Sequence, residues 1–368
     1  MKKRLHVLID GRTFALQSKG GVSQLWAKIL QEKSLRDQFT ISMILYPNSR
    51  QNIHLQELLE TVGTEFHIIE STLPPSDNNK YAEKKYCQQR ESEIAAAIRN
   101  KVDLVLNTYY GENIFPQCAS YLIVAHDFAH EELEILAAKE STRGVLQRKA
   151  TAFSAATAII NVSRQTQKKG MSLYSQYKDR KNFVIYHGHD TDMEAPLKVH
   201  KQIIHVGGRG LYKNFFQVRQ ALDNLMRHDN EVSVIIAGGE NIDAGISELV
   251  SSFSPKVLFS SGMPDAQMNF LMGSSQVFVS GSTYEGFGIP VLNALRLGVI
   301  PVLSDIPIYR EIAGKDGIFF DPQNPKDIEE KIQNALAITS GPVGKYYRPW
   351  GQVALEYGQV IREVANGY

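Results

Sequence analysis

Short apolar, β-branched runs alternate along the chain with stretches whose apolar positions recur every three to four residues. In the first half the runs are Leu5–Ile9, Thr40–Leu45, Phe66–Ile69, Leu104–Asn107, Tyr121–Ala125, Ala158–Asn161 and Phe183–Tyr186, and Val22–Gln31, Tyr81–Arg99 and Arg143–Ala155 read as helices. Strands alternating with helices predict an α/β fold with parallel sheets covered on both faces. A polar stretch over 188–200, with Pro196 and no clear period, interrupts the rhythm and reads as a connection between domains. The pattern restarts with Ile203–Val206, Ser233–Ala237, Val257–Phe259, Val277–Ser280, Ile300–Leu303 and Gly317–Phe320. Trp350–Ala365 then reads as one amphipathic helix with no strand after it.

Two doubly wound domains are therefore expected, over 1–190 and 200–345, with a terminal helical segment over 346–368. Ligands of open α/β sheets bind at the carboxyl ends of the strands, so two such sheets facing each other suit a two-substrate reaction. Pattern alone is compatible with glycosyltransferases, phosphorylases, some epimerases and periplasmic-type binding proteins.

Composition narrows the class. With 43% apolar residues, 21% charged residues and a formal net charge of +1 over 368 residues, neither nucleic-acid binding nor disorder is indicated. The N-terminal half carries the excess of basic residues and the C-terminal half the excess of acidic ones. Arg143, Arg148, Lys149, Arg164, Lys168 and Lys169 read as solvated helix faces, with a membrane-facing patch as the alternative. Cys87 and Cys118 belong to no metal or disulfide pattern, which fits a reducing cytoplasm. The first apolar run is closed by Asp10 and reads as a buried strand, not as a signal segment. No stretch approaches the ~18–20 apolar residues needed to cross a bilayer, so any membrane contact is expected to be peripheral.

The most informative stretch is Ser280-Gly-Ser-Thr-Tyr-Glu285-Gly286-Phe287-Gly288-Ile289-Pro-Val-Leu-Asn293-Ala, between the strand Val277–Ser280 and a helix over roughly Ile289–Leu297. Gly286 and Gly288 flank Phe287, so the backbone can turn tightly and approach a ligand closely. The helix that follows presents free N–H groups and the positive end of its dipole, which suits a phosphate. Glu285, at the mouth of the turn, can accept hydrogen bonds from sugar hydroxyls. A plain strand–turn–helix junction with a capping Glu is the alternative.

This stretch resembles the donor-binding signature of the family-4 retaining glycosyltransferases (glycosyl transferases group 1), which have the GT-B fold. The resemblance continues through Gly298-Val-Ile-Pro-Val302, Ser304-Asp305, Arg310-Glu-Ile-Ala-Gly314 and Phe320-Asp-Pro322. It extends to Val206-Gly207-Gly208-Arg209-Gly-Leu-Tyr-Lys213-Asn, to Val162-Ser-Arg-Gln-Thr166, to Val184-Ile-Tyr-His-Gly188-His-Asp190 and to Ala237-Gly238-Gly239. One position departs: the family's second Glu, eight residues after the first, is Asn293, which can bond a ribose hydroxyl without a carboxylate's strength. His187 and His189 are further departures, to which no role is assigned.

The resemblance implies two facing Rossmann-like domains, the first for acceptor and the second for donor, with the final helix crossing back onto the first. It implies catalytic roles for Glu285, which positions the donor sugar, for His126, which lines its reactive face, and for Arg209 and Lys213, which neutralise the departing diphosphate. Donor contacts are implied for Gly20, Gly21, Gly207, Gly208, Gly238, Gly286, Phe287, Gly288, Ile289 and Asn293. Gly20 and Gly21 lie in a glycine-containing segment after the first strand, a weak signal by itself. The implied reaction moves a hexosyl-type sugar, with retention, from a GDP- or UDP-linked donor to a saccharide or lipid-linked saccharide in cell-surface polysaccharide synthesis. Neither cofactor nor metal is expected, because the two cations and the helix end already face the leaving group. The expected location is the cytoplasm, with the inner face of the membrane as an alternative. A non-catalytic sugar-nucleotide-binding protein and a GT-B epimerase remain the rival functions.

Overall fold

The computed structural model describes residues 4–75, 84–98, 101–118, 120–138, 140–190, 196–239, 242–339, 341–342 and 346–367. Positions 81–83 and 99 of an expected helix, and 191–195 of the expected connection, lie outside them. The chain divides into two compact units, Met1–Gly188 with Arg348–Tyr368, and His189–Tyr347.

In the first unit the strands are β1 (Leu5–Asp10), β2 (Phe39–Leu45), β3 (His67–Glu70), β4 (Leu104–Asn107), β5 (Tyr121–Ala125), β6 (Ala158–Asn161) and β7 (Lys181–Val184). They pair in parallel in the order β3-β2-β1-β4-β5-β6-β7. Every residue of β4, β5 and β6 is buried, which is why these strands read as unbroken apolar runs and not as alternating ones. The expected strand Phe183–Tyr186 starts earlier, at Lys181. As an edge strand it exposes Lys181 and half-buries Asn182, so the apolar pattern marks only its end. Past β7 the chain leaves the ladder, and the Tyr186 carbonyl accepts from the guanidinium of Arg348.

The helix Trp350–Ala365 belongs to this first unit, packed against the helices Gly21–Gln31 and Lys33–Arg36. Trp26 meets Tyr357 edge-on with ring centroids 5.8 Å apart, and the indole N–H of Trp26 donates to the Thr108 carbonyl at 2.9 Å. Val353, Ala354, Tyr357, Ile361 and Val364 form the helix's buried stripe.

Where β1 ends, the chain does not run directly into Gly20 and Gly21. A short helix, Arg12–Leu16, intervenes, and Arg12 turns inward. Its side chain is fully buried and bonds the Asp10 carboxylate through Nη2, and through Nε at 2.8 Å. Glu112 stands 3.6 Å from Arg12 and accepts from buried Arg90 at 2.7 Å. Glu112 lies just past β4, so this network fills the place where the helices flanking β1 and β4 part. Removing one partner of a buried ion pair strands the other charge. Asp10→Ala should therefore cost about 3–5 kcal/mol, read as a lowered urea midpoint for the first unit.

The second unit carries β8 (Gln202–Val206), β9 (Ser233–Ala237), β10 (Val257–Ser260), β11 (Val277–Ser280), β12 (Ile300–Ser304) and β13 (Ile318–Phe320). They are parallel, in the order β10-β9-β8-β11-β12-β13. Alternate residues feed two apolar layers, with Val277 and Val279 on one face and Phe278 on the other. The first layer takes the helices Phe215–His228 and Pro325–Leu336, and the second takes Ile289–Arg296 and Pro307–Ala313. Among the described residues no helix is long and apolar enough to cross a membrane.

Candidate active site

In the second sheet β8 and β11 are neighbours whose following helices lie on opposite faces, so the loops at their carboxyl ends part there. The loop after β8 holds Gly207, Gly208, Arg209 and Lys213, and the loop after β11 holds Glu285 to Gly288. The two loops are laced together: Thr283 N–H donates to the Tyr212 carbonyl at 2.8 Å. Close packing forces Gly281, since a Cβ there would sit 2.6 Å from Val218 Cγ2. Above this contact the surface opens, because a Cβ on Gly207 or Gly208 would meet nothing within 4 Å.

Lys213 and Glu285 come together across the gap, with Nζ 2.6 Å from Oε1. The same oxygen accepts from Ser282 Oγ at 2.8 Å and from Tyr309 OH at 3.4 Å. Tyr309 OH lies 2.7 Å from Ser280 Oγ. Burial first, and the Glu285 charge second, push the Tyr309 phenol well above its usual range. Phe287 turns into the protein, while Gly288 takes φ 101° and caps the helix Ile289–Arg296. That left-handed backbone favours glycine, and Tyr309 Cε1 would be 3.1 Å from any Cβ at this position.

Arg209 is on the same loop as Lys213 but is turned toward β9. It donates to the Gly238 carbonyl at 2.9 Å and pairs with Asp243 at 3.2 Å. Gly238 itself takes φ 85°, and its Cβ would approach Gly207 N to 3.3 Å. Asn293 lies one helix turn beyond Ile289 and donates to Asn269 Oδ1 at 3.3 Å. Beneath the cations lies His205, whose Nδ1–H faces the Val279 carbonyl at 3.1 Å. Burial, with Lys213 and Arg209 adding, lowers its imidazole to about 4. Tyr309, Ser282, Asp243 and Asn269 were not singled out in the sequence. Tyr309, Asp243 and Asn269 take part because distant chain segments meet in space, whereas Ser282 lies on the Glu285 loop itself, inside the stretch that the sequence marks.

In the first unit Gly20 caps the helix that starts at Gly21, and Ser23 Oγ donates back to the Gly20 carbonyl at 3.0 Å. His126 lies at the end of β5, buried, with Nε2 3.1 Å from the Thr108 carbonyl and its ring stacked on Tyr109 at 5.9 Å. A carbonyl only accepts, so Nε2 carries the proton of the neutral ring. The Tyr110 hydroxyl accepts from the backbone N–H groups of His126 at 2.8 Å and Asp127 at 3.1 Å. Lys149 is not on a solvated face as expected. It is fully buried, donating to the Asp127 carbonyl and to Glu131, each at 2.9 Å, because two acceptors and the Tyr110 ring compensate its charge. Among the described residues no group of three or more His, Cys, Asp or Glu side chains could hold a metal ion.

Burial, with the Lys149 cation adding, lowers His126 to about 4, and burial lowers His187, which meets Trp350 edge-on, to about 3. In the unfolded chain such groups titrate near pH ~6.5. Between the two values the unfolded state binds more protons, so stability rises with pH there and is lost as pH falls from about 6.5 toward 4. His126→Gln should flatten that slope, measured as the urea midpoint against pH.

Residues 191–352 match the family model described as glycosyl transferases group 1. Over 148 residues the chain is 26% identical to the serotype-specific mannosyltransferase WbdA of Escherichia coli, covering 39% of this chain and 18% of that one. Over 122 residues it is 31% identical to the GDP-mannose:cellobiosyl-diphosphopolyprenol alpha-mannosyltransferase of Xanthomonas oryzae pv. oryzae, covering 32% of each. The chain thus matches less than a third of the length of either relative. Among solved structures, the glycosyltransferase from Rickettsia africae superposes over the full length of both chains with a TM-score of 0.72 at 14% identity. The two parallel-sheet units have the GT-B fold, and the match to the glycosyl transferases group 1 model lies almost wholly on the second of them.

Proposed function

We propose that this protein is a retaining glycosyltransferase whose second unit binds a nucleoside-diphosphate hexose. The carrying observation is the pairing of Lys213 with Glu285 at the parting of β8 and β11, beside the helix N-terminus at Gly288. A cation, a carboxylate and the positive end of the helix dipole there match the three parts of such a donor: diphosphate, sugar hydroxyls and leaving charge. The Lys213 ammonium has three donors, so it can hold Glu285 and a phosphate oxygen together. Arg209 adds positive charge to the same loop, and the site calls for no metal ion.

In the reaction, the bond from the anomeric carbon to the β-phosphate oxygen breaks as an acceptor hydroxyl bonds to that carbon on the same face. The hydroxyl proton goes to the departing diphosphate. The first unit takes the acceptor, a saccharide or a lipid-linked saccharide, and the protein acts in the cytoplasm or at the inner membrane face. Both curated relatives named above are mannosyltransferases, which makes GDP-mannose the first donor to test.

A thermal-shift series with GDP, GDP-mannose, UDP and UDP-glucose tests the donor site, since a ligand at about 100 times its Kd stabilises by about 2.7 kcal/mol. One nucleotide pair should raise Tm, and Lys213→Ala should abolish most of that rise. Transfer of labelled sugar to lipid-linked saccharide acceptors should accompany it. Binding without transfer to any acceptor supports a non-catalytic sugar-nucleotide protein instead. Asn293→Glu should increase the nucleotide-dependent shift if Asn293 contacts the ribose, and an unchanged shift removes Asn293 from the site.

A further inference from the structure

We propose that Tyr309 is the positioning residue of this site, setting the Glu285 carboxylate through its hydroxyl and the Gly288 turn through its ring. This rests on Glu285 being the residue that meets the donor sugar. Tyr309 lies on the helix Pro307–Ala313, which follows β12, one strand beyond the loop it serves. It is 1% exposed.

Core packing explains the ring but not the hydroxyl. A buried tyrosine used for packing alone can leave its oxygen unbonded, as Tyr46 and Tyr357 do among the described residues. The Tyr309 oxygen instead sits between Ser280 Oγ at 2.7 Å and Glu285 Oε1 at 3.4 Å. A carboxylate accepts, so the phenol proton points to Glu285 and the Ser280 hydroxyl donates to Tyr309. Burial keeps the phenol protonated, so it stays a donor beside the carboxylate.

Three donors meet on Oε1, and they are not equivalent. Lys213 divides its N–H donors between Glu285 and the diphosphate, so its hold on the carboxylate changes as the ligand binds and leaves. Ser282 shares a loop with Glu285 and moves with it. Tyr309 comes from the helix Pro307–Ala313 and has no ligand group of its own to hold, so it fixes the carboxylate relative to the sheet. With Oε1 taken by three protein donors, Oε2 is the oxygen left to accept from the donor sugar. The ring of the same residue lies against Gly288, so the sugar end and the phosphate end of the site are set by one side chain.

The test is Tyr309→Phe, which keeps the ring, alone and combined with Glu285→Gln. Binding is followed by thermal shift with GDP against GDP-mannose and UDP against UDP-glucose, and transfer by kcat and KM. The variant should bind the diphosphate as wild type does, and should lose the extra stabilisation that the sugar gives. Its kcat/KM should fall about tenfold or more, the scale of a lost hydrogen bond to a charged group. In the Glu285→Gln background the same change should add less than about twofold, because coupled residues are not additive. Wild-type behaviour, an equal loss of diphosphate and sugar-nucleotide binding, or full additivity with Glu285→Gln each overturns the proposal. Should Tyr309→Phe fail to fold, Ser280→Ala keeps the tyrosine and should show the same sugar-specific loss at smaller size. Wild-type behaviour of that variant overturns the proposal as well. A wild-type protein with neither a sugar-dependent shift nor transfer overturns the donor-site assignment, and the Tyr309 role with it.

Discussion

Parallel strands all end on the same edge of their sheet, and wherever the strand order reverses, the flanking helices must leave in opposite directions. That constraint makes the crevice between β8 and β11, and everything at the candidate site hangs from it. Two loops of unrelated sequence are brought side by side, one with a lysine and the other with a glutamate, at the start of a helix. The same constraint operates between β1 and β4 with the opposite outcome. There Arg12, Asp10 and Glu112 occupy the space as a buried ion network. One crevice is filled by the protein itself, and the other is lined by glycines whose missing side chains leave it open.

The two units also treat charge differently. Around Glu285 the charges are partly solvated, so donors can exchange between protein and ligand at modest cost. Around His126 they are not. Lys149 and the histidine are both deeply buried, and the imidazole is kept neutral by its surroundings. A neutral ring with Nε2 committed to Thr108 offers a fixed acceptor at Nδ1, not a variable charge. The first unit is therefore rigid in its protonation where the second is adjustable in its pairing.

Much of the fold was legible because burial on both faces imposes an unmistakable apolar run on each central strand. β4, β5, β6, β9 and β11 begin and end where the sequence pattern places them. β7 does not, since an edge strand tolerates Lys181 and Asn182. The loops of the candidate site were legible through glycines and charges at fixed distances after strands. What stayed hidden was any side chain whose role depends on a partner distant along the chain. Tyr309 drew no reading from the sequence, because its ring packs as any apolar residue of a short helix would and only its oxygen is special. Lys149 looked like one more cation on an amphipathic face, and nothing local announced the two acceptors waiting for it. Arg12, directly after a strand, gave no sign of being buried. The glycine pair at 20 and 21 was placed one element too early, because a five-residue helix leaves almost no periodic trace.

The return of the helix Trp350–Ala365 to the first unit makes the second unit an insertion within the first, joined to it by two crossings of the chain. On the ribosome, the second unit can finish folding while the first still lacks its final helix. Until Tyr357 reaches Trp26, the apolar flank of the helix Gly21–Gln31 has no cover. The order of synthesis thus runs against the order of assembly, and the half of the molecule made first is the half completed last.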